Sequence, residues 1–160
     1  MSYVRSVEVL AYFWVSGPRY LVLKRTPERG GLWQPITGRV EEGETSIRAA
    51  ARELREETGI AAEPFPINHV YEFTSDHEVR HLNDVFAVEV ATLEGSADLE
   101  APGRRGPAPE RPPETPSATP ALPPVNLSDE HTEFRWVDFP EALGLMKWPG
   151  NRTALRILHT

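Results

Sequence analysis

The chain has 160 residues, with 17 Lys and Arg against 24 Asp and Glu, a formal net charge of -7. At 39% hydrophobic and 26% charged residues it reads as one soluble globular domain over 1–160, which excludes disorder along the whole length. The absence of cysteine removes disulfides, thiolate metal sites and cysteine nucleophiles together, so any metal must sit on oxygen or imidazole.

The acidic balance argues against a nucleic-acid polymer as partner, because phosphate backbones are held by basic surfaces. It leaves a small anionic substrate open, since divalent cations invert the local sign. The first apolar run, Val7 to Val15, is nine residues long and contains Glu8, too short to span a membrane. With no signal-peptide pattern either, a cytoplasmic location is expected.

In chain order, Val7 to Val15 and Tyr20 to Lys24 are rich in β-branched and aromatic residues and predict strands. Thr45 to Thr58 predicts an amphipathic helix, with Ile47, Ala50, Ala51 and Leu54 on its apolar face and Gly59 at its stop. Asp84 to Val90 and Phe134 to Val137 predict two further strands. Between them, nine of the sixteen prolines fall in the 24 residues from Ala101 to Pro124, which predicts a loop insertion that offers the core almost nothing. A short helix is expected from Pro140 toward Met146, and a last one from about Arg152 to Leu158 with Asn151 as N-cap.

On a helical wheel Glu53, Glu56 and Glu57 share one stripe, expected to be exposed and opposite the apolar face. Three like charges on one stripe repel in plain water, whereas a hard cation such as Mg²⁺ uses clustered carboxylate oxygens. Arg52 lies one step round the helix, within reach of Glu53 or Glu44. Lys24, Arg25, Arg29 and Arg39 are the basic residues near this segment, and Arg25 is the foremost candidate to meet phosphates.

The segment GRVEEGETSIRAAARELREETGI, Gly38 to Ile60, resembles the Nudix box, the signature of hydrolases that cleave nucleoside diphosphates linked to another moiety. Gly38, Glu44, Arg52, Glu53, Leu54, Glu56, Glu57, Gly59 and Ile60 all match its fixed positions. The resemblance implies an α/β fold: a mixed β-sheet sandwiched between α-helices, with a loop-helix-loop catalytic motif. It also implies metals (Mg²⁺, with Mn²⁺ as an alternative) on Glu53, Glu56 and Glu57, an orienting role for Arg52, and structural roles for Glu44 and Gly59.

Outside the box, Trp33-Gln34, Thr37-Gly38, Glu130-His131, Phe134-Arg135-Trp136 and Asn151-Arg152 resemble the bacterial dihydroneopterin triphosphate diphosphatase branch. That resemblance implies Glu130 as metal ligand or base, and Arg25, Thr37, Gly38 and Asn151 as substrate contacts. The general base stays open between Glu53 and Glu130, and a homodimer is implied because relatives are often dimers. Trp33 and Trp136 are read either as stacking platforms or as core aromatics. The expected activity is cleavage of a triphosphate, either the pterin compound or a nucleoside triphosphate, to pyrophosphate and a monophosphate. A dinucleoside polyphosphate or nucleotide sugar as substrate, a Nudix-fold sensor without turnover, and a scaffold acting through the proline-rich loop are the competing readings.

Overall fold

A computed structural model describes residues 3–75, 77–91 and 122–160. Its strands are β1 (Val4–Trp14), β2 (Pro18–Arg25), β3 (Trp33–Gln34), β4 (Ile36–Arg39), β5 (Phe65–Thr74), β6 (Arg80–Glu89) and β7 (His131–Val137). The helices are α1 (Ser46–Thr58), α2 (Phe139–Leu145) and α3 (Pro149–His159). The strands form one mixed seven-stranded sheet in the order β3-β2-β1-β6-β5, with β4 also on β1 and β7 also on β2. β1 and β6 run parallel, and the other pairs are antiparallel.

Alternation along β1 sends Val7, Val9 and Ala11 to one face, where they pack with Ala49, Ala50 and Leu54 of α1. Leu10 goes to the other face, with Val22, Val85, Ala142 of α2 and Ala154 and Leu155 of α3. The sheet therefore lies between α1 on one side and α2 with α3 on the other, the layering expected of an α/β sandwich.

All four expected strands and three expected helices are present, with bounds that shift at the ends. β1 starts at Val4 because that residue already pairs with His81 of β6, and it ends at Trp14, ahead of a turn in which Ser16 and Gly17 take positive φ. β5 was not foreseen: it is an edge strand whose side chains are half-buried or exposed, so it shows no apolar run. The short β3 and β4 have too few residues to display a period.

Two corrections concern the helices. Ile47 is exposed, and α1 buries Ala49, Ala50, Leu54, Glu57 and Thr58, so the helix is rotated to bring Glu57 inward rather than leaving it on a solvated stripe. Asn151 is not a cap: α3 begins at Pro149 behind Trp148, and Asn151 is a buried residue of its first turn. The bulk of the proline-rich segment lies outside the described residues. At its end Pro123 is buried, and its carbonyl accepts from Trp136 Nε1 at 3.2 Å.

Candidate active site

The loop before α1 is closed by its own groups. Glu44 Oε1 accepts from the Glu41 N–H at 2.9 Å, and the Glu44 N–H donates to the Glu41 carbonyl at 3.0 Å. Thr45 then caps α1 by accepting from the Arg48 N–H, and Gly59 ends the helix at φ 78°, a left-handed position suited to glycine. These signals fix where α1 starts and stops, and so which of its side chains turn toward β4 and β7.

Arg52 is the hub. Its Nε and Nη2 donate to Glu44 Oε2 and Oε1 at 2.8 and 3.0 Å, and Nη2 also reaches the Arg39 carbonyl at 2.9 Å. Nη1 donates to Glu53 Oε2 at 3.0 Å and to Glu56 Oε1 at 3.3 Å. The sequence left Arg52 a choice between Glu44 and Glu53, and its forked guanidinium binds both at once. This pairing holds Glu44 below the usual carboxylate range, chiefly through the hydrogen bond from Arg52.

Glu53 leans over β4. A Cβ on Gly38 would overlap the Glu53 carboxyl group, so glycine at 38 is the space that this carboxyl occupies. Glu56 is the exposed member of the three. Glu57 is only 4% exposed, and its Oε1 has no hydrogen-bond partner among the described residues. Burial first, then the charges of Glu53 and Glu130, push the Glu57 carboxyl up to about 9. Glu53 is raised as well, mainly by burial, with Arg52 pulling it down and the charge of Glu56 adding to the rise.

Glu130 and His131 arrive from β7, where His131 pairs with Arg25 of β2. Glu130 is partly exposed and lies 4.0 Å from Arg29 Nη1. His131 is buried, neither ring nitrogen has a partner among the described residues, and Nε2 lies 3.9 Å from Glu57 Oε1. Burial, with the positive charge of Arg25 second, pushes this imidazole down to about 4 and keeps it neutral. The buried Arg25 Nε is also without a partner. Thus Gly38, Glu44, Arg52, Glu53, Glu56, Glu57, Glu130 and Arg25 gather at one end of the sheet.

Among the described residues, no three His, Asp or Glu groups already stand close enough to hold a metal ion. The donor chemistry nevertheless suits a hard divalent cation: carboxylate oxygens in a half-buried setting, one of them bare and raised by its acidic neighbours, which a cation would offset.

Thr37 and Asn151 lie elsewhere. Thr37 stands across from Glu8 on β1, and neighbouring Gln34 Nε2 donates to its hydroxyl at 3.4 Å. The wholly buried Glu8 faces α3, where its Oε1 accepts from Tyr71 Oη at 2.6 Å, Asn151 Nδ2 at 3.0 Å and Asn83 Nδ2 at 3.3 Å. Gly150 allows this approach, because a Cβ there would overlap the Tyr71 ring. Burial pushes Glu8 up to about 7, with the three donors opposing the rise. The sequence did contain a signal for Glu8, an acid inside an apolar strand, whereas nothing marked Tyr71 or Asn83.

The two tryptophans differ. Trp136 meets Phe13 edge-on at 5.1 Å between centroids and packs against the α1-side core, so it is structural. Trp33 carries the Arg135 guanidinium over its ring at 4.9 Å.

A family model described as NUDIX domain matches residues 4–107. The octanoyltransferase of Myxococcus xanthus is 33% identical over 138 residues, which are 86% of this chain and 31% of that protein. Phosphatase NudJ of Escherichia coli is 36% identical over 75 residues, 47% of this chain and 49% of NudJ. The chain thus spans about a third and about half of the lengths of these relatives. Among solved structures, the Escherichia coli dihydroneopterin triphosphate pyrophosphohydrolase superposes with a TM-score of 0.70 over 99% of this chain and 98% of its own, at 24% identity.

Proposed function

The chain belongs to the Nudix family, and from that premise we propose that it is a divalent-cation-dependent pyrophosphohydrolase. It cleaves a phosphoanhydride of a triphosphate to release pyrophosphate and a monophosphate. The observation that carries the proposal is the wiring of Arg52 to Glu44, Glu53 and Glu56 beside the buried Glu57, whose Oε1 has no partner among the described residues. A merely solvated acidic face has no reason to bury a carboxyl and leave it bare.

In this reading Glu53, Glu56 and Glu57 hold Mg²⁺ or Mn²⁺. The cation neutralises phosphate oxygens and polarises the attacking water. Arg52 and Glu44 keep Glu53 in place over Gly38. Arg25, whose Nε is unpartnered, takes a phosphate oxygen. Glu130 is the base, because its one ion pair among the described residues is the long contact to Arg29.

Thr37 and Asn151, on the Glu8 side of the sheet, orient the organic group. Support for a pterin triphosphate comes from the residue pattern Trp33-Gln34, Thr37, Glu130-His131 and Asn151-Arg152, together with a fold that matches the bacterial enzyme end to end. The proposal treats 1–160 as a single domain of a cytoplasmic protein. No helix among the described residues is long and apolar enough to cross a membrane.

The test is product analysis with Mg²⁺ on dihydroneopterin triphosphate, the common nucleoside triphosphates, diadenosine polyphosphates and nucleotide sugars. The pterin triphosphate is expected to show the highest kcat/KM, with pyrophosphate as product. Preference for a dinucleoside polyphosphate or a nucleotide sugar overturns the substrate, and ligand binding without any hydrolysis overturns the activity.

A further inference from the structure

A buried imidazole with neither nitrogen hydrogen-bonded is uncommon, since buried polar groups are nearly always paired. His131 is such a group, and it is not alone. Among the described residues seven buried side-chain atoms lack a partner, and four of them belong to Glu57, Arg25 and His131, which meet where α1 faces the paired Arg25 and His131 of β2 and β7. The gap between His131 Nε2 and Glu57 Oε1 is 3.9 Å, too long for a hydrogen bond yet closed by a small rotation of either side chain. Glu57 thus presents its bare Oε1 to His131, while its carboxyl group also feels the charges of Glu53 and Glu130.

We infer that His131 is the positioning residue of the cation site: its Nε2–H donates to Glu57 Oε1 and aims the other Glu57 oxygen at the ion. The inference rests on the proposed reading of α1 as a cation site. A neutral imidazole carries one N–H donor, and placing it on Nε2 satisfies a carboxylate oxygen that is otherwise bare inside the protein. As a cation ligand Glu57 is a carboxylate, and its bare, buried Oε1 needs a donor on its inner side. A ring held by packing on β7 supplies that donor without adding charge. Groups of this kind, bonded to a ligand rather than to the metal, commonly change metal affinity by about 10- to 100-fold when removed.

The test is Mn²⁺ titration of the substrate-free protein by electron paramagnetic resonance, with thermal unfolding as a check on the fold. His131→Gln and His131→Asn are compared, because a glutamine amide nitrogen reaches the position of Nε2 and an asparagine amide nitrogen only that of Nδ1. Both variants are polar and no larger than histidine. The expected result is Mn²⁺ affinity within about threefold of wild type for H131Q and at least tenfold weaker for H131N, at similar melting temperatures. Equal affinity in both variants and wild type overturns the role of His131, and so does equal weakening in both. A wild-type protein that binds no Mn²⁺ overturns the cation-site reading itself and the inference with it, a result distinguishable because the variants play no part in it.

Discussion

The two faces of the sheet each bury a carboxyl group, and they treat it in opposite ways. Glu57, on the α1 side, is surrounded by other acids and leaves Oε1 bare, so both its burial and its neighbours favour the protonated form. Glu8, on the α3 side, also leaves one oxygen, Oε2, without a partner among the described residues, but its Oε1 accepts from three neutral donors, Tyr71, Asn83 and Asn151, which pull against the effect of burial. Like charges gathered round a bare oxygen suit a cation, whereas a carboxyl oxygen held by three neutral donors describes a fixed polar anchor. The first predicts loss of chemistry when altered, the second loss of recognition.

The largest effect is expected at Glu57. Glu57→Gln removes a proposed cation ligand and should lower kcat by at least about 100-fold at saturating Mg²⁺, while metal-free stability at pH 8 holds or rises, since folding no longer has to take up a proton at this buried group. Turnover near that of wild type would remove the contrast between the faces. Gly38→Ala comes next: its Cβ takes the space of the Glu53 carboxyl, a flexible end that can move aside. The protein should fold with a stability loss of about 1 kcal/mol or less by denaturant titration, yet lose about 10-fold or more in kcat.

Arg52→Lys replaces a fork bonded to three carboxylates by a point charge. Roughly 1–3 kcal/mol of stability should be lost, together with activity. Glu8→Gln should have the smallest effect on chemistry, raising KM several-fold with kcat within about threefold. An equal fall in kcat would mean that the two faces act as one site.

The difference between the faces also decides what the sequence revealed. Gly38, Glu44, Arg52, Glu53, Glu56, Glu57 and Gly59 lie on one loop and one helix, where spacing along the chain is spacing in space, so the cluster was legible before any coordinates. Its inward rotation was not, because small Ala49 and Ala50 facing the sheet outweigh the apolar signal of Ile47. The other face is assembled from β1, β5, β6 and α3, and its closing bond joins residues 143 positions apart. No local period encodes such a contact. That is why Asn151 read as a helix cap and why Glu8 served only to exclude a membrane span.

Burial and the crowding of acids disfavour an ionised Glu57 until a cation is present, and the pH dependence of metal-free stability tests this most directly. Both Glu57 and Glu8 have folded values raised above the ordinary 4.5. Their contribution is therefore full below about pH 4.5 and is lost as pH rises, through about 7 for Glu8 and about 9 for Glu57. Chemical denaturation of the wild type and of Glu57→Gln in chelator should show wild-type stability falling relative to the variant as pH rises from 5 to 9, because Glu8 and His131 are present in both. Mg²⁺ should restore the wild type alone at pH 8. Parallel curves for the two proteins, with no gain from Mg²⁺, would contradict the account.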